Sequence, residues 1–145
     1  MVMAGRVLIV MAVAAMSLSG CVAVAEPTQN ASSSPLPLPA ADSTNLAACR
    51  DAACEVEVQK EDEVHLDPGW RLSAIEVEYL SEEKITLWLK ELEGPGGVVG
   101  GLDSDISGAE GHVSVTNGRP AQINGIELTM VTGTSARAIL KMRPV

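Results

Sequence analysis

The chain is 145 residues long, with a formal net charge of −9, 46% hydrophobic residues, three cysteines and no phenylalanine. That length suits one small domain, and the hydrophobic share excludes a chain disordered throughout. Ten Lys and Arg stand against nineteen Asp and Glu with no basic stripe, which argues against a nucleic-acid partner, because phosphate contacts need clustered cations.

In chain order, the first element is an apolar run at residues 7–18 behind a lone cation, Arg6. A membrane-spanning helix needs about 20 apolar residues, so this run is too short to span and fits the core of an export signal. It ends in Leu18-Ser19-Gly20-Cys21, which resembles the lipobox of bacterial lipoproteins. The resemblance implies a signal peptide over residues 1–20, cleavage before Cys21 and lipidation of the Cys21 thiol. The small side chains of Ser19 and Gly20 give a peptidase access to that bond. It also implies a mature protein held by acyl chains, palmitate among them, on the outer face of a bacterial cytoplasmic membrane. Two chains anchor stably where one binds only marginally. The alternative is an ordinary signal peptide cut near Ala23-Val24-Ala25, which would discard Cys21.

Residues 21–48 are rich in Pro, Ser and Ala, with prolines at 27, 35, 37 and 39. Such a stretch cannot bury a core and reads as a disordered tether. With Cys21 lipidated, Cys49 and Cys54 remain as an even pair in an oxidising compartment. Their C-R-D-A-A-C spacing is neither that of a C-x-x-C redox motif nor part of a zinc set, so the pair reads as a structural disulfide at the entry to the domain.

Residues 49–145 then alternate apolar and polar side chains. The clearest runs are Val56/Val58, Ile75/Val77/Tyr79, Ile85/Leu87/Leu89, Val113/Val115, Ile126/Leu128/Met130 and Ala136/Ala138/Leu140/Met142. Period two between Gly, Pro and Asn turn signals predicts an all-β domain, a small barrel or sandwich of about seven to eight antiparallel strands. Residues 75–90 also align without gaps on residues 126–141 at an offset of 51, with Ile, Glu, Leu and Lys shared. This suggests two similar hairpins.

Few motifs carry chemistry. Residues 103–108 resemble the opening of a calcium-binding loop, with Asp103, Asp105 and Ser107 as candidate ligands. The twelfth position is Ser114 rather than a bidentate Glu, so a surface turn is the preferred reading. The glycine-rich residues 94–101 lack the G-K-[ST] ending of a phosphate loop and read as a flexible connection. No H-E-x-x-H or G-x-S-x-G is present, and the expectation is no enzyme activity and no cofactor. Trp88 lies opposite in parity to Ile85, Leu87 and Leu89. It is therefore expected on the opposite face beside Glu76 or Glu78, where the preferred reading is that a neighbouring strand or loop covers it or that both faces are buried, and the alternative is an open contact surface.

The layout as a whole resembles small secreted lipoproteins of actinobacteria. The expected role is a membrane-anchored, non-catalytic binding module for an envelope protein or cell-wall component. The alternatives are a calcium- or small-ligand-binding accessory protein or, third, a small hydrolase in which His65 or His112 meets a carboxylate.

Overall fold

A computed structural model describes residues 39–94 and 97–145; the signal segment, Cys21 and residues 22–38 of the tether lie outside the described residues. Ten strands occur among the described residues: β1 Cys54–Gln59, β2 Glu63–His65, β3 Ala74–Leu80, β4 Ile85–Lys90, β5 Val98–Gly100, β6 Asp103–Ser107, β7 Glu110–Val115, β8 Ala121–Ile123, β9 Ile126–Gly133 and β10 Arg137–Pro144. They build two five-stranded sheets, ordered β1-β10-β9-β8-β5 and β2-β3-β4-β7-β6, with every pairing antiparallel. The domain is an all-β sandwich rather than a closed barrel. Alternation explains it: Val56, Val58, Ile75, Val77, Ile85, Leu87, Leu89, Val113, Val115, Leu128, Met130, Leu140 and Met142 all point into one shared core. The strand count exceeds the expected seven or eight because β2, β5 and β8 have three residues each, too few to show a period. Among the described residues no helix is long and apolar enough to cross a membrane.

The two hairpins hinted at by the sequence are equivalent in detail, at an offset of 53 rather than 51. In β3–β4, Val77 faces Leu87 and Tyr79 faces Thr86, leaving Glu78 as a bulge; in β9–β10, Met130 faces Leu140 and Thr132 faces Ile139, leaving Val131. Their turns match atom for atom. Ser81 Oγ accepts from the amides of Glu83 and Lys84 and donates to Lys84 O, while Thr134 Oγ1 accepts from those of Ala136 and Arg137 and donates to Arg137 O. An offset of 51 also places apolar on apolar, because both offsets are odd and differ by a whole period of two.

The equivalence extends further. Val56 and Val58 of β1 correspond to Val113 and Val115 of β7, and Val64 of β2 to Ala121 of β8, at an offset of 57. Even the left-handed turn residues match: Glu61 (φ 71°) with Gly118 (φ 84°), and Arg71 (φ 52°) with Asn124 (φ 51°). The domain is thus two copies of a four-strand unit, β1–β4 and β7–β10, each lending its first strand to the other's sheet. β5 and β6 are the insertion between them.

Four expectations about position change. Ala136, read as the start of the last alternating strand, lies exposed in the turn before β10. Tyr79 was expected to face inward with Ile75 and Val77; the Glu78 bulge adds one residue and flips the parity, so Tyr79 is 51% exposed. Residues 40–48, assigned to the tether by composition, are already part of the domain. Ala40 is buried, the Asp42 amide donates to Glu55 O, the Glu57 amide donates to Ser43 O, and a 3-10 turn covers Leu46–Cys49. Within the glycine-rich stretch, Val98–Gly100 is an edge strand whose corner into β6 is built tightly. Gly100 has φ +83°, and a Cβ there would lie 2.5 Å from Pro120 O.

Candidate functional site

The outward face of the second sheet carries the candidate contact residue. Directly opposed positions across β2, β3, β4, β7 and β6 read Glu63, Glu76, Trp88, His112 and Asp105. Trp88 therefore lies beside Glu76 on the face its parity predicts, and it is half-buried there. His112 stacks alongside it, ring centroids 6.2 Å apart and planes 16° from parallel. The Lys90 ammonium sits 4.9 Å from the centre of the indole, a cation–π contact.

Lys90 is held by two carboxylates, Glu63 and Glu76. Its hydrogen bonds to Glu63 and then Glu76 raise its pKa above the ordinary lysine value, and the same bond to Lys90 lowers that of Glu63. The ammonium is thereby fixed over the ring. His112 Nδ1 donates to Glu78 Oε2 at 2.7 Å, Glu78 being the bulge residue and outward like Glu76. On the next row the hydroxyls of Thr86 and Ser114 bond at 2.9 Å. Beside the indole the small side chain of Ala74 lies between His65 and Lys90, leaving a trough of about 370 Å³ whose rim includes Glu63 and Glu110.

The duplicated unit supplies an internal comparison for this face. The positions equivalent to Trp88 and His112 are Lys141 and Glu55, also paired across strands, and they form an ordinary ion pair at 3.1 Å. The position equivalent to Lys90 is Arg143, bound to Glu127. The same backbone is thus satisfied elsewhere by part-exposed ion pairs, with no aromatic ring at the matching positions.

Cys49 and Cys54 form the expected disulfide, with their Cα atoms 5.0 Å apart, and tie the 3-10 turn to the start of β1. Asp103, Asp105 and Ser107 form neither the calcium loop nor the surface turn considered above. They occupy alternate outward positions of β6, strung along a strand rather than curled around a centre. Among the described residues no group of three or more His, Cys, Asp or Glu is placed to hold a metal ion.

One surface was not foreseen. At the end of the sandwich where the β3–β4, β7–β8 and β9–β10 turns meet, Tyr79 and Leu102 expose apolar surface in an open depression that Lys84, Asn117 and Ser135 also line. Tyr79 arrives there only through the bulge, which no local residue type announces.

Chemically, the Trp88 face offers a ring, fixed donors and fixed acceptors. The imidazole–carboxylate pairs His112–Glu78 and His65–Glu63 are the kind a general base uses. The nearest hydroxyl along β7, Ser114, is engaged by Thr86 instead. No family model, no curated protein and no solved structure matches this chain.

Proposed function

We propose that this chain is a lipid-anchored extracytoplasmic protein whose β domain is a non-catalytic binding module, contacting an envelope component through the Trp88 face. The anchoring part rests on the lipobox ending in Cys21, and a disulfide at Cys49 and Cys54 suits an oxidising compartment. The binding part rests on one observation: a Trp–His pair occupies positions that the duplicated unit fills with the ion pair Lys141–Glu55. Aromatic side chains half-exposed in the middle of a sheet face, where the matching positions of the duplicated unit carry charges, are what a contact surface requires.

Two measurements test it. Cys21→Ser should move the protein out of the membrane fraction or leave it unprocessed; a processed, membrane-bound variant refutes anchoring. Retention of the soluble domain on washed cell-envelope material should weaken about tenfold or more in Trp88→Ala, as at an interface anchor. Unchanged retention refutes the contact role of this face.

A further inference from the structure

We infer that the trough beside Trp88 is a subsite for a glycan without acid groups, a chain of neutral or amine-bearing sugars. The inference rests on the binding reading above and names its ligand class. The trough is floored by Ala74, the one small side chain between the outward groups of β2 and β4, and Trp88 forms its side. Its other lining groups are polar, and the central ones are held by ion pairs. The Lys90 ammonium is a donor pinned by Glu63 and Glu76, Glu63 is an acceptor, and His65 Nε2 lies 3.4 Å from Glu63 Oε1.

A pyranose presents the same pairing of surfaces, apolar C–H faces that pack on a ring and hydroxyls that both donate and accept. The trough has too little apolar lining for a hydrophobic small molecule, which would want a mostly apolar pocket. Its charge decides between glycans. Glu63, Glu91 and Glu110 line it against the single cation Lys90, and Lys90 is already neutralised by its two carboxylates. An anionic polymer meets repulsion with no available cation, whereas a neutral or amine-bearing sugar does not. The duplicated unit has no such trough chemistry at the matching place. The counterpart of Ala74 is Glu127, which is bonded to Arg143 across the strands, and the counterpart of Trp88 is Lys141.

The test is titration of the full soluble domain, residues 22–145, with chitohexaose, its de-acetylated hexamer, oligogalacturonate and deca-lysine. The readouts are indole emission in a Trp70→Phe background and amide chemical shifts. The first two probes should bind saturably, with shifts centred on β3 and β4, and oligogalacturonate should not. Trp88→Ala should weaken the neutral probe about tenfold or more. Ala74→Gln, which fills the floor and leaves the ring, should do the same while far-UV circular dichroism stays unchanged. If deca-lysine alone binds, and binds through Trp88, the glycan inference is overturned and the contact face stands. If the sugars bind equally well to Trp88→Ala and Ala74→Gln, the trough is not their site. If no probe binds and envelope retention is also independent of Trp88, both readings fall.

Discussion

Replacing Trp88 by Lys and His112 by Glu together would graft the Lys141–Glu55 pair of the first sheet onto the second. The backbone environment is matched, since Trp88 faces His112 across β4 and β7 as Lys141 faces Glu55 across β10 and β1. What is lost is the area of a half-buried indole beyond what a lysine stem still covers, on the order of 80–100 Å², or about 2 kcal/mol at 25 cal/mol per Å². The cation–π contact with Lys90 adds about 0.5 kcal/mol at a partly exposed site. The new cross-strand ion pair returns roughly 0.5 kcal/mol, and about as much is lost with the His112–Glu78 contact, where a glutamate would meet a like charge. The net expectation is a loss of about 2.5 kcal/mol, or a fall in Tm of roughly 10–20 °C for a domain of this size. Urea denaturation followed by circular dichroism measures it, with the m-value unchanged from wild type. A double variant that fails to fold, or loses about 4 kcal/mol or more as a core truncation does, refutes the reasoning. The aromatic pair would then be a requirement of the fold, and its use as a sign of function would go with it.

Gly100→Ala and Gly118→Ala carry the same left-handed strain, φ +83° and +84°, but only the first drives a Cβ to 2.5 Å from Pro120 O, the acceptor for the Gly101 amide. Gly118→Ala should cost about 1 kcal/mol and Gly100→Ala about 2–3 kcal/mol in the same denaturation assay, and equal losses would refute the tight corner. Reducing Cys49–Cys54 should cost about 2 kcal/mol, as expected for so short a loop, and a reduced domain of unchanged midpoint contradicts this. Glu63 has its folded pKa lowered by Lys90, so the contact stabilises above the ordinary glutamate range and is lost as pH falls through the lowered value. Lys90 has its pKa raised by Glu63 and Glu76, so at the alkaline end the contact persists until pH passes that raised value. Lys90→Met should therefore flatten the dependence of stability on pH between about 5 and 3, read from urea midpoints; an unaltered slope refutes the assignment.

Much of this molecule is written locally. The alternation of Val56 with Glu57 or Leu87 with Trp88 sets both a strand and its buried face, because neighbouring side chains of a strand must point opposite ways. The same parity by itself puts Trp88 on the side of Glu76 and Glu78, and the register then sets it opposite Glu76. Cys49 and Cys54, close in sequence and without a redox or zinc pattern, likewise pointed to their own disulfide.

Other features belong to pairings between distant segments. The Glu78 bulge, which turns Tyr79 outward, depends on how β3 meets β4, and nothing in Val77-Glu78-Tyr79 specifies an extra residue. The true offset of the repeat depends on matched registers, since a shift of two residues preserves every apolar slot in the sequence and only cross-strand partners tell 51 from 53. The exchange of first strands between the two units, which sets His112 against Trp88 and Glu55 against Lys141, is a choice of partner among similar alternating strands. Local pattern cannot make that choice, because any strand of the right period satisfies it; the closed packing of two sheets around one core does.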